Sequence, residues 1–328
     1  MMQTSYEIVA TLGPSSNTVS IWRSLLEAGA TAFRLNTSHL SLSQLQLWLD
    51  QLDPFLAGLS PRPSLVLDLQ GSKWRLGDFT TCVLVAGQHV ELVSAASSDR
   101  PGVLPVPHPD FFQAARVSSA ELVLNDAKLR LVRESIGPET LQARVIVGGE
   151  LSAHKGITFA SSDYRQEELS AKDRSIFEQT QHLKDVRYAI SYVRDAAEMI
   201  KYRAHFGRAA YLIAKLERQP AVDEARSIAG AANEVWLCRG DLGAELGIRS
   251  MAETARRFSD GISDLPVPML MAGQVLEHMT EHPTPTRSEV CYLYDTLCTG
   301  YRGFVLSDEV AIGRYPIDSC RIAALFRT

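Results

Sequence analysis

No apolar run in this sequence approaches the ~20 residues that a membrane-crossing helix requires, so no helical span is expected. The opening MMQTSYEIVATLGP has no basic stretch followed by a long apolar one, and it reads as a first strand rather than a secretory signal. Basic residues are not in excess: Lys and Arg total 33 against 38 Asp and Glu, for a net charge of −5, and no attraction to nucleic acid or an anionic membrane is expected. The five cysteines (Cys82, Cys238, Cys291, Cys298, Cys320) include no CxxC pair, and the eight histidines are dispersed, so zinc-ligand spacing is missing. An odd cysteine count without an export signal points to free thiols in a reducing cytosol, which gives a cytoplasmic expectation. Neither GxGxxG nor GxxxxGK[ST] sits at a strand–helix turn, which argues against Rossmann and P-loop folds.

What the sequence does have is alternation. YEIVATLG, TAFRLN and SLVLDLQG read as strands, the last continuously apolar as in a parallel sheet buried on both faces. Between them, TVSIWRSLLEAGA and SLSQLQLWLDQLDPFL carry apolar residues at helical spacing. From about Lys73 to His154 the rhythm becomes Val-rich and broken by Gly, Pro and Ser, which predicts a small all-β insertion. Within it the prolines of RPGVLPVPHPDFF predict an irregular surface segment. Alternation then resumes through VRYAISYV, AAYLIAKLE, EVWLCRGD, PVPMLMAGQ and GFVLS. The total is eight strands outside the insertion, each followed by helical material. The expected fold is α/β, a (β/α)8 barrel, with boundaries at 1–70 for its first part, 71–156 for the insertion and 157–328 for its second part.

Chemistry in such a barrel gathers at the C-terminal strand ends. Strand two delivers Arg34, Asn36, Ser38 and His39; strand three delivers Asp68, then Lys73 and Arg75. Strand five delivers Lys215 and Glu217, strand six Arg239, Gly240 and Asp241, and strand eight Ser307, Asp308 and Glu309. Glu217 and Asp241 close successive strands, so both carboxylates can face one hard cation such as Mg²⁺ or Mn²⁺. Arg34, Lys215 and Arg75 would then stabilise charge on a transferring phosphoryl group. The plainer alternative is a ring of salt bridges at the barrel mouth.

The strings VATLGPSS, FRLNTSH, LDLQGSKWR, HKGITF, IAKLE, CRGDLGAEL, PTPTRSE and LSDEVAIGRYP resemble, in order and spacing, the pyruvate kinase family. The resemblance implies that the insertion is the family's lid domain and that the C-terminal regulatory domain is absent. It implies phosphoryl transfer between phosphoenolpyruvate, or a related acid, and ADP, assisted by Mg²⁺ or Mn²⁺. Lys215, Arg34 and Glu309 would form the catalytic group, and Glu217 and Asp241 would hold the metal. Gly240, Asp241, Gly273 and Ser307 would meet the substrate; Pro14, His39 and Arg75 the nucleotide. Asn36, Ser38, Asp68 and the Leu69 carbonyl match a monovalent-cation site. Lys73 stands where potassium-requiring members carry Glu, so its ammonium is expected to replace that ion; the other reading is a solvated surface lysine. The expected partners are small molecules, with a homodimer through barrel helices as a further option.

Four departures from the family pattern bear on substrate. Gly273 replaces a Thr, Leu40 a Gly, Ser72 a Pro, and Asp308 a Gly. They keep two alternatives open: metal-dependent enolate chemistry on a 2-oxo acid without nucleotide, and a non-catalytic regulatory protein on the same scaffold.

Overall fold

The computed structural model describes residues 5–71, 73–125, 128–159 and 169–327; Ser72 lies outside the described residues. The chain divides into two compact units. One comprises Met1–Gly71, Ala171–Arg239 and Glu253–Thr328, the other Ser72–Ser170 and Gly240–Ala252.

The first unit holds a closed barrel of eight parallel strands: β1 (Glu7–Leu12), β2 (Ala32–Asn36), β3 (Ser64–Leu69), β4 (Val186–Ile190), β5 (Tyr211–Leu216), β6 (Glu234–Cys238), β7 (Met269–Ala272) and β8 (Gly303–Leu306). Closure comes from β1 pairing with both β2 and β8, with Glu7 opposite Gly303 and Val9 opposite Ala32. Side chains alternate across a strand, so every second residue points into the barrel. That period sorts the interior into layers. The middle layer is apolar: Val9, Ala32, Val66, Ala189, Ile213, Trp236, Leu270 and Val305, all at 1% exposure or less. Two residues further along the same strands come Thr11, Arg34, Asp68, Ser191 and Lys215; two residues back come Glu7, Ser64, Arg187, Tyr211 and Glu234. One parity rule therefore places a polar layer at each end of a dry plug.

Gly13 ends β1 where an added Cβ would lie 2.6 Å from the Ala311 carbonyl oxygen, so the turn into the 3-10 helix Pro14–Ser16 is closed to any larger residue. The helix Val19–Glu27 packs Trp22 inward and is capped by Thr18, whose hydroxyl accepts from the Ile21 amide. Ser41 and Gln44 form a capping box on Leu42–Ala57.

The second unit contains a six-stranded sheet in the order Ile157–Phe159, Glu121–Leu124, Leu129–Ile136, Thr140–Val147, His89–Val93, Val103–Pro105, and a two-stranded piece, Gly149–Leu151 with Cys82–Leu84. It is not all-β. Pro109–Val117 is a helix whose Phe111 and Phe112 are fully buried, where the sequence pattern suggested an irregular surface segment. Pro109 occupies the first helical turn, where its missing N–H costs nothing, so the proline that looked like a breaker is a starter. Pro105 sits on the edge strand, the place a sheet tolerates it. Phe111 stacks on Phe159 at 4.8 Å between ring centres, with Trp74 edge-on at 5.4 Å. The return to the barrel expected at 157 therefore comes later, because Ile157–Phe159 pairs with Glu121–Leu124 in this sheet. The helices Arg239–Leu246 and Ile248–Asp260 supply the helical material expected after β6, and residues 239–241 open the first of them rather than ending the strand.

Among the described residues no helix is long and apolar enough to cross a membrane, and all five cysteines are free.

Candidate active site

At the C-terminal end of the barrel, four charged side chains from three strands meet below the surface. Asp68 is the hub. It accepts from Arg34 Nε at 2.9 Å and from Arg34 Nη2, while Lys215 Nζ donates to both of its carboxylate oxygens at 3.1 Å. Lys215 also donates to Ser191 Oγ at 2.9 Å and pairs with Glu217 Oε1 at 3.0 Å. Ser191 returns a hydrogen bond to Asp68 Oδ1 at 3.1 Å, Thr11 Oγ1 accepts from Arg34 Nη1 at 2.7 Å, and the Tyr192 amide donates to Glu217 Oε2 at 2.7 Å. Arg34, Asp68, Lys215 and Glu217 are each at most 8% exposed.

Charges at this depth persist only when matched. Burial alone would discharge Lys215, but the Asp68 and Glu217 carboxylates outweigh it and hold the ammonium pKa above the ordinary lysine value. Burial likewise opposes ionisation of Asp68, and Lys215 with Arg34 overcomes it, driving that carboxyl well below the usual range. Arg34 is raised too: its desolvation is overcome by Asp68. The group thus sets two cations against two carboxylates, with Asp68 shared by both cations.

Around it, the backbone is anchored. The Asp173 carboxylate, wholly buried, accepts from the Gln70 and Gly71 amides at 3.1 and 3.0 Å, and Thr37 Oγ1 donates to the Asp68 carbonyl at 2.7 Å. Gly71 has φ +61, and a Cβ there would lie 2.0 Å from the Ser191 carbonyl oxygen, so only glycine passes β4 at this point. Asn36 Oδ1 accepts from the Ser38 amide at 3.2 Å, and the Leu69 carbonyl accepts from the Ser191 amide at 3.4 Å. Pro14 and His39 are exposed on the 3-10 turns after β1 and β2.

After β7 the chain turns through Gly273 and Gln274 with φ of +82 and +53. Arg239 fixes that turn, donating to the Gly273 carbonyl at 3.1 and 2.7 Å and to the Gln274 carbonyl at 2.9 Å, with its guanidinium 4.5 Å from the centre of the Tyr292 ring. A threonine at 273 would be strained in this conformation, which accounts physically for glycine here.

Glu309 is fully buried, and the groups acting on it are backbone amides and Glu277 rather than Arg34 or Lys215. Its Oε1 accepts from the Leu276 amide at 3.3 Å and its Oε2 from the Ser307 amide at 2.9 Å, tying the loops after β7 and β8 together. Burial raises its pKa to about 7 despite those amides. A folded pKa above the unfolded value means stability that is present in acid and lost as pH rises through about 7. We therefore expect the thermal midpoint to increase as pH falls from 8 toward 5, and Glu309→Gln to remove part of that slope, the Glu234 carboxyl, also raised by burial to about 7, supplying another part. The same slope in wild type and variant would count against this assignment. Asp68, lowered instead, contributes its pH dependence only at more acidic pH, outside this window.

In the second unit, Lys73 is 7% exposed and its Nζ lies 2.5 Å from Asp241 Oδ1. That burial removes the solvated-surface reading of Lys73. Arg75 Nη1 donates to the His154 carbonyl at 2.9 Å, while its buried Nε has no hydrogen-bond partner among the described residues. Gly240 and Asp241 form the first turn of Arg239–Leu246, and an added Cβ at Gly240 would meet nothing within 4 Å.

Sequence reasoning found Arg34, Asp68, Lys215 and Glu217, and missed Thr11, Ser191 and Asp173. The first two were within reach: strands one and four carry them at the same parity as Arg34 and Lys215. Asp173 gave no such sign, being a helical carboxylate turned back onto another segment's amides. At the opposite, N-terminal end of the barrel a cavity of about 670 Å³ is lined by Arg62, Arg187, Glu234, Arg302 and others. Arg187 there serves both Glu7 and Glu234, at 2.8 and 3.1 Å. Barrel chemistry belongs to the other end, so this polar layer is read as stability.

As to the metal, Glu217 and Asp241 offer hard carboxylate oxygens, and no cluster of three or more His, Cys, Asp or Glu exists among the described residues. Oxygens of this kind suit Mg²⁺ or Mn²⁺, which often take one or two protein carboxylates and fill the remainder with water and substrate.

A family model described as pyruvate kinase, barrel domain, matches residues 3–320. The chain is 30% identical over 320 residues to a pyruvate kinase of Agrobacterium vitis, covering 96% of this chain and 67% of the relative. It is 30% identical to pyruvate kinase 2 of Synechocystis sp., covering 97% and 55%, and 31% identical to a pyruvate kinase of Methylorubrum extorquens, covering 95% and 66%. The chain thus spans between about half and two thirds of the length of these relatives.

Proposed function

The chain belongs to the pyruvate kinase family, and from that premise we propose that it transfers a phosphoryl group between phosphoenolpyruvate, or a closely related enolpyruvate acid, and ADP. The observation that carries the reading is the pair of buried cations, Arg34 and Lys215, held on one carboxylate at the C-terminal end of the barrel.

Phosphoryl transfer asks little covalent chemistry of a protein; it asks for position and for positive charge around the group in flight. Arg34 and Lys215 supply that charge from buried positions, where it acts more strongly than in water. The partners of the Lys215 ammonium are Asp68, Ser191 and Glu217. A substrate oxygen must exchange with one of these, and Ser191 is the neutral partner and the least costly to give up. Asp68 and Thr11 meanwhile keep Arg34 aimed. The first-turn amides of Gly240 and Asp241 suit a substrate carboxylate. Pro14, His39 and Arg75 are assigned to the nucleotide, and Gly273 and Ser307 to the substrate. In this reading Glu309 is a positioning residue, acting through the Leu276 and Ser307 backbone that it holds.

Glu217 and Asp241 would hold Mg²⁺ or Mn²⁺, which when bound adds positive charge against phosphate and carboxylate oxygens. Potassium is not required in this reading. Asp68 of the monovalent-cation set is already matched by two side-chain cations, the Leu69 carbonyl already accepts from Ser191, and Lys73 brings a buried ammonium. Pyruvate release is expected to run at the same rate within about twofold when K⁺ is replaced by tetramethylammonium, and a strict K⁺ requirement would contradict this. The function itself is tested by omitting nucleotide: pyruvate should form from phosphoenolpyruvate and Mg²⁺ only when ADP is added. Turnover of a 2-oxo acid without ADP would favour metal–enolate chemistry, and no turnover of either would favour a non-catalytic role. We place the protein in the cytosol, acting on small molecules.

A further inference from the structure

Lys73 is buried beside the carboxylate that the proposed function gives to the metal, and its place is built rather than incidental. The Lys73 and Asp241 side chains are 8% and 15% exposed, with 2.5 Å between Nζ and Oδ1. The lysine stem crosses the backbone at Gly156, where an added Cβ would lie 2.4 Å from Lys73 Cε and 3.1 Å from its Nζ. Gly156 is itself fixed: its carbonyl accepts from the Asn125 amide at 3.1 Å, and it forms a β-bridge with Arg75. A glycine slot in a pinned segment thus admits the four-carbon stem and delivers the ammonium to Asp241.

We propose that Lys73 is an internal competitor for the divalent cation: its ammonium holds the Asp241 carboxylate until a metal ion displaces it. The inference rests on the reading of Asp241 as a metal ligand. A charge-assisted contact made by the free protein must be surrendered when the ion takes those oxygens, so it weakens apparent metal affinity. The pair also sets a cation against the largely buried Asp241 carboxylate when no ion is bound. Lys73 thereby sets the metal concentration at which the site fills.

The test is Mn²⁺ binding to the full chain, followed by loss of the free-ion electron paramagnetic resonance signal, with no substrate and no turnover. Lys73→Met should bind Mn²⁺ about tenfold more tightly than wild type, the scale of losing one charge-assisted contact. Gly156→Ala is the sharper variant, because it keeps every charge and only crowds the stem; it should tighten binding in the same direction. Circular dichroism confirms that each variant is folded. Unchanged or weaker Mn²⁺ binding in both variants, while Asp241→Asn abolishes the binding seen in wild type, would overturn the competition and leave the metal assignment standing. Binding indifferent to Asp241→Asn would overturn the metal assignment, and the competition with it.

Discussion

Asp68→Ala is expected to destabilise the protein by about 3–5 kcal/mol, the range seen when one partner of a buried ion pair is removed. The reason lies in the arithmetic of the site. Asp68 is 2% exposed and serves Arg34 and Lys215 together, so its loss leaves two cations facing one remaining carboxylate, Glu217. Asp68→Asn should cost less, since its amide oxygen can still accept from one donor, but it removes the charge and cannot restore the balance. Urea unfolding followed by tryptophan fluorescence measures both: Trp22 and Trp236 are at 1% exposure in the first unit and report on its core. A loss below about 1 kcal/mol for Asp68→Ala would mean that the cations are not held as described.

Lys215→Met should lower kcat by about 10³-fold or more, from removal of a cation aimed at the transferring group in a water-poor site. The substitution keeps the length of the stem and removes only the ammonium. Asp68 retains Arg34 and Ser191, and Glu217 retains the Tyr192 amide, so the barrel should remain folded. The KM for ADP should change little, because the nucleotide is assigned to Pro14, His39 and Arg75. A matching loss in kcat and kcat/KM marks an interaction made in the transition state. Ser191→Ala makes a useful contrast: it deletes a neutral acceptor of the Lys215 ammonium, and about tenfold or less is expected.

Most of the barrel was legible in the sequence for one physical reason. Strands buried on both faces are short apolar runs, and all eight stand out between amphipathic helices. The same parity that makes Val66 and Ile213 core makes Asp68 and Lys215 the next interior residues, so a charged side chain two positions after a buried apolar one was a usable sign. Where that sign failed, the determining contact was distant. Phe111 and Phe112 look like part of a proline-rich loop until Trp74 and Phe159 are beside them. Ile157–Phe159 carries no mark of which sheet it joins, and its partner is 33 residues or more away. Lys73 left a surface reading open beside the favoured one, because nothing local announces a glycine slot formed at 156. Glu309 was picked out by its place after the last strand; that both its oxygens would be taken by the amides of Leu276 and Ser307 depends on the turn after β7, which no periodicity encodes.

The most direct measurement is to follow the phosphoryl group itself by ³¹P nuclear magnetic resonance, with phosphoenolpyruvate, ADP and Mg²⁺ in K⁺-free buffer. Wild type should move the signal from phosphoenolpyruvate into the γ-phosphate of ATP, with little or no movement in folded Lys215→Met. An unchanged spectrum with folded wild-type protein, or ATP formed equally well by Lys215→Met, would contradict the account.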